Sequence, residues 1–89
     1  MKRTIHPYSR LALSRTDKAL KLLGLVKPLV LGVDDQLDDL GLLRLAEIQI
    51  GQVRKAVVAE ARMHGFTWQQ LGDTLGMSAE DAERIYGRV

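Results

Sequence analysis

Cysteine is absent from the chain, which excludes disulfides, thiolate metal sites and thiol nucleophiles together and leaves packing as the source of stability. That absence fits a reducing compartment, and the expected location is the cytoplasm. Aromatic residues are scarce, with one Trp, two Tyr and one Phe, a thin supply for any surface that stacks unpaired bases. Long apolar runs are missing too. The longest, residues 28–33, falls far short of the ~20 residues a membrane span needs, and Met1-Lys2-Arg3 leads into no signal-like apolar segment. No Gly-rich phosphate loop is present. The two histidines, His6 and His64, have no nearby nucleophile or convincing ligand set. The reading is of a protein that is not an enzyme and needs no cofactor or metal.

What remains is ordinary globular material: 46% apolar and 27% charged residues over 89 positions, enough to fold and to build one small core. A chain of this size is a marginal monomer or a dimer. The net charge is only +2, but it is unevenly placed. Residues 1–27 hold seven basic side chains (Lys2, Arg3, Arg10, Arg15, Lys18, Lys21 and Lys27) against Asp17 alone, a net of +6, while residues 28–66 and 67–89 each carry −2. A basic run of this kind is either an electrostatic footprint for nucleic acid or another anionic partner, or a solvated polar face. It lies at the opposite end of the sequence from the motif described below.

The pattern predicts an all-α fold: a small helical domain with a long central helix and two short helices at its C-terminus. Residues 1–8 read as a flexible arm, because Pro7 biases His6 away from helix. A first helix is expected over residues 9–23, capped by Ser14 or Thr16, carrying Leu13, Ala19, Leu20 and Leu23 near helical spacing, and stopped by Gly24. Residues 25–33 read as an apolar connector, extended or looped, that packs on the helices. The chain thus divides into a basic arm, helix and connector (1–33) and a helical domain (34–89).

Asp34, Asp35, Asp38 and Asp39 mark a helix entry, where free amides and the helix dipole favour negative charge. The same run matches the aspartate-rich magnesium motif of prenyl-transferring enzymes literally, but one short domain cannot supply the second metal-binding helix and apolar pocket that chemistry needs. Residues 36–64 read as one helix of ~40 Å at 1.5 Å per residue, with Gly41 and Gly51 as places to bend. Leu43, Ala46, Ile50, Val53, Val57 and Ala61 form its expected core stripe. Leu45 and Ile48 project to the opposite side and need a second cover, from the first helix or from a second copy of the chain. A homodimer is one expectation.

Gly65 ends the long helix. Thr67 caps a short helix that stops at Gly76, and Ser78 caps another through about Tyr86, with Asp81 in the acidic third position. Leu71, Leu75, Met77, Ala82 and Ile85 are spaced as the buried contacts of two helices crossing at a tight turn, with Gly72 allowing close approach and Trp68 packing beside them. The spacing fits a helix-turn-helix at residues 66–88 or an ordinary helical hairpin that binds nothing.

The run Ala59-Glu60-Ala61-Arg62, then His64-Gly65-Phe66-Thr67-Trp68-Gln69-Gln70-Leu71-Gly72, then Leu75-Gly76-Met77-Ser78, extended by Ala82, Arg84, Tyr86 and Gly87, resembles helix-turn-helix proteins of the sigma-factor region-four type. Small actinobacterial and actinophage regulators have a similar pattern, and the match spans about residues 56–88. The resemblance implies a bacterial or phage transcription regulator that binds double-stranded DNA. It implies that Ser78, Ala79, Glu80, Glu83, Arg84 and Gly87 lie on the face of the last helix that enters a major groove, and that Thr67, Gln69 and Gln70 sit near backbone phosphates. Arg84 and Arg88 fit that role, and the N-terminal cations Lys2, Arg3, Arg10 and Arg15 can anchor phosphates.

The chain departs from the pattern in one respect. Relatives place basic or amide side chains where this sequence has Ala79, Glu80, Asp81 and Glu83, and carboxylates repel phosphates. Three outcomes are consistent with that departure. A carboxylate can accept from cytosine N4 while the basic arm restores affinity; the acidic helix can dock a basic protein partner; or the arm can lead an RNA-binding role.

Overall fold

The computed structural model describes residues 7–87, and among these the chain is all-α, with four helices and no strand: α1 (Pro7–Leu31), α2 (Gln36–Met63), α3 (Trp68–Leu75) and α4 (Ala79–Tyr86). The expectations placed on Lys2, Arg3 and Arg88 fall outside the described residues. No described helix is long and apolar enough to cross a membrane.

The first helix departs from the sequence reading at both ends. Pro7 is its first residue, a position where a missing N–H costs nothing and a fixed φ suits the helix, so the helix begins inside the segment expected as an arm. Ser14 and Thr16 lie inside the helix and cap nothing. Gly24 does not stop it, and residues 25–31 are helical despite Pro28. Proline removes one helical hydrogen bond and presses on the carbonyl four residues back, which here belongs to Gly24. Leu25 and Leu29, on either side of that defect, are half-buried towards α2, and this burial offsets the propensity cost. The actual stop is Gly32, at φ 64, whose N–H donates to the Pro28 carbonyl at 2.9 Å. The connector therefore shrinks to residues 32–35.

Asp35 opens α2, its carboxylate accepting from the Asp38 N–H at 2.9 Å, with Asp38 and Asp39 in the first turn. The acidic run is thus a cap, and among the described residues no three acidic or histidine side chains converge as a metal-ligand set. α2 runs through Gly41 and Gly51 unbroken and ends where expected, with Gly65 at φ 89 and the Phe66 N–H returning to the Ala61 carbonyl at 3.1 Å.

α1 and α2 pair as a helical hairpin, the main packing contact of the molecule. Half-buried or buried positions recur along each helix at steps of four and three residues: Leu11, Arg15, Lys18, Leu22, Leu25 and Leu29 on α1, and Leu42, Ala46, Gln49, Val53, Ala56 and Glu60 on α2. This is the spacing of helices packed side by side. The seam carries polar pairs: Arg15 Nη1 donates to Glu60 Oε1 at 2.9 Å, and Gln49 Nε2 donates to the Lys18 carbonyl at 2.9 Å.

The seam settles which apolar residues turn inward and corrects the expected core stripe of α2. Leu13, Leu20 and Leu23 lie outside it and are exposed. In α2 the face towards α1 is turned from the expected stripe, so that Ala46 is buried while Leu43, Ile50 and Val57 stay open at about two-fifths exposure. Leu45 and Ile48 are not covered by α1 either. Among the described residues the buried apolar ones are Ala46, Ala56, Val58 and Ala82, and no large side chain is fully buried. The radius of gyration, 16.1 Å, and extents of 44 × 43 × 19 Å describe a thin slab, wider than the ~12 Å radius of a compact chain of this length.

Candidate functional site

The α3–α4 unit is closed by local chemistry at each boundary. At the start of α3 the Thr67 hydroxyl accepts from the Gln70 N–H at 3.1 Å, while Gln70 Oε1 accepts from the Thr67 N–H at 2.9 Å, so two free amides of the first turn are satisfied reciprocally. At its end Gly76 takes φ 78, and the N–H groups of Gly76 and Met77 both donate to the Gly72 carbonyl, the latter at 2.9 Å. Only a residue without Cβ adopts that conformation cheaply. Gly72 is buried, and a Cβ built on it would stand 2.7 Å from the Met77 carbonyl oxygen and 3.0 Å from Ser78 backbone atoms. The turn lies directly on the helix it leaves.

Ser78 then caps α4, its Oγ accepting from the Asp81 N–H at 3.0 Å. Ala82 is 0% exposed and seats α4 against the rest of the unit. Around it Glu80, Asp81, Glu83 and Arg84 stand outward and exposed, while Ala79 is half-buried. The sequence-predicted residues of α4 are thereby brought onto one short helix. Thr67, Gln69 and Gln70 are exposed at the first turn of α3, but their polar atoms are engaged: Thr67 and Gln70 in the cap, and Gln69 Nε2 with Asp73 Oδ1 at 2.8 Å.

Charge on the outward surface is mostly negative, with Asp73, Glu80, Asp81 and Glu83 against Arg84. Arg84 is itself held by Asp81, Nη2 to Oδ1 at 2.9 Å. The hydrogen bond from Arg84, then its charge, with a further hydrogen bond from Ser78, hold the Asp81 carboxyl below its ordinary titration range.

The basic N-terminal segment is distant from this unit in sequence but not in space. The antiparallel hairpin sets the first half of α1 beside the second half of α2, as the Arg15–Glu60 pair shows, and Leu22 shares a groove with Leu71 and Leu75 of α3. On α1 Arg10 is exposed, whereas Arg15 is half-buried and already paired. Sequence order alone hid this proximity.

A second feature, the contact between Arg62 and Trp68, was not expected from the sequence. The Arg62 guanidinium lies over the Trp68 ring at 4.6 Å from its centroid and donates to the Phe66 carbonyl at 2.8 Å, fastening the α2–α3 junction. Beside it Lys55, Trp68, Glu83 and Tyr86 line a cleft of about 680 Å³ between α2 and α4. The chain reversal at Gly65 brings Arg62 back over residues four and six positions later, and no local pattern in the sequence marks that contact.

Compared with known proteins, the chain matches no family model, no curated protein and no solved structure.

Proposed function

We propose that the α3–α4 unit is a helix-turn-helix and that the protein is a small DNA-binding transcription regulator, of bacterial or phage type, acting in the cytoplasm without catalysis. The observation that carries this reading is the turn. Gly72 and Gly76 let α3 and α4 meet through a three-residue connection, and Ala82 is the inward anchor that leaves Ser78, Glu80, Glu83 and Arg84 facing solvent. A short capped helix held out in this way by a tight glycine turn suits insertion in a major groove. Arg84, released from Asp81, supplies the base-reading guanidinium, and Glu80 or Glu83 can accept from cytosine N4. The cations of α1, folded back beside the unit, supply phosphate anchoring, and a two-fold pair of chains would address two half-sites.

One observation favours a second reading, in which α4 docks a basic protein partner. The outward surface of the unit holds four carboxylates, and its one arginine is already neutralised, a polarity suited to a cationic surface.

A salt titration against random-sequence duplex DNA separates the two. The DNA reading expects affinity to fall steeply with rising salt as phosphate contacts release counterions. Absence of binding at low salt refutes it and leaves the docking reading, for which Glu80→Gln and Glu83→Gln are the variants to test. Once a preferred site is selected, Arg84→Ala should weaken binding to it by ~1 to 3 kcal/mol without unfolding the domain.

A further inference from the structure

One side of α1 along the seam is polar and the other apolar, whereas α2 carries exposed apolar side chains on both sides, Leu45 and Ile48 on one and Leu43 and Ile50 on the other. At 100° per residue, Arg10, Ser14, Asp17, Lys21 and Gly24 of α1 fall on one side of the seam, and Ala12, Ala19, Leu23, Val26 and Val30 on the other. Because the helices are antiparallel, Leu40, Leu43, Ile50 and Val57 of α2 share the second side. Most of these side chains are open: Val30 is 85% exposed, Leu23 62% and Leu40 61%. The surface continues into an apolar groove of about 320 Å³ where Leu22, Ile50, Val53 and Val57 meet Leu71 and Leu75 of α3. It therefore runs from the hairpin tip to the α3–α4 unit.

We propose that a second copy of this chain covers this side, the two hairpins packing face to face as a four-helix bundle. Three observations select that occupant. Among the described residues no large side chain is fully buried, and a stable domain buries its apolar faces between packed layers. Val30, Leu23, Leu40, Leu43, Ile50 and Val57 are each about two-fifths exposed or more, and an extended apolar surface of this kind marks an interface. The face is also as long as the hairpin. Another copy, related by a two-fold axis, presents an apolar face of equal length and the same pattern, as an isologous contact requires. The pairing does not depend on DNA binding: a dimer that ignores DNA leaves it standing.

Sedimentation equilibrium on the full chain tests the proposal. The expected species is a dimer, twice the 9.9 kDa chain. Val30→Glu and Leu40→Lys, at sites exposed in the single chain, should each raise the dissociation constant by roughly a hundredfold or more, while Lys21→Glu on the polar side should not change it. If the charged variants lose helicity by circular dichroism, the wild-type melting temperature decides, since dimerisation makes it rise with protein concentration. A monomer at ~100 µM, a dimer indifferent to both charged variants, or a concentration-independent melting temperature overturns the proposal.

Discussion

In α3 and α4, which together hold 16 residues, each helix start is capped by a named side chain and the turn between them is closed by two bonds to one carbonyl. The α1/α2 hairpin has 53 helical residues, yet apart from its caps it is held by a heptad-spaced seam with an arginine, a lysine, a glutamine and a glutamate in it. The short unit is specified by contacts within a few residues of each other. The hairpin is specified by contacts between residues tens of positions apart, and much of its apolar surface is open. Local closure gives α4 a defined position from which to present Glu80, Glu83 and Arg84; the hairpin supplies length and surface.

Glycine substitutions should break this comparison most sharply, because the same change has opposite signs in the two regions. Gly72→Ala places a methyl against backbone atoms that cannot swing away, and a loss of about 2 to 3 kcal/mol is expected in chemical denaturation. Removing a cap is next: Thr67→Ala or Ser78→Ala should each cost about 1 kcal/mol, with the amide exchange of residues 67–75 or 78–86 rising selectively. Gly51→Ala, inside α2 with nothing within 4 Å of the added Cβ, should instead stabilise by about 0.5 to 1 kcal/mol through helix propensity. A destabilising Gly51→Ala would show that the hairpin is packed more closely there than the seam implies.

The smallest expected effect concerns acid. Asp81 titrates below its unfolded value because of Arg84, so its contribution is present above the ordinary carboxylate range and is lost as pH falls through the depressed value. On so exposed a pair the effect is slight. Melting temperature followed from neutral to acid pH should fall a little less in Asp81→Asn than in the wild type, and an identical profile would remove the Arg84 interaction from the account.

The comparison also explains what was legible in the sequence. Caps and glycine turns are local signals, so the limits of α2, the caps Thr67 and Ser78 and the stops at Gly65 and Gly76 were readable from residue order. Gly24 and Pro28 carry equally strong local signals, but there the burial of Leu25 and Leu29 against a helix many residues away overrode them. Leu13, Leu20 and Leu23 mark the first helix by their spacing, but that spacing does not say which face turns inward, and they stay exposed. The real seam uses Arg15 and Lys18 instead, a choice visible only once Glu60 and Gln49 face them. Candidate site residues on α4 were legible for the same reason as its cap. The Arg62–Trp68 contact and the return of α1 to the α3–α4 unit depend on chain reversal, and no local pattern encodes them.

The central claim is that the outward face of α4 meets DNA. Its most direct test is a backbone-amide NMR titration of the full chain with duplex DNA at low salt. The account predicts that the largest shifts cluster at residues 78–84, with smaller ones on the exposed cations of α1. Shifts confined to α1, or none at all while the protein remains folded, would contradict it.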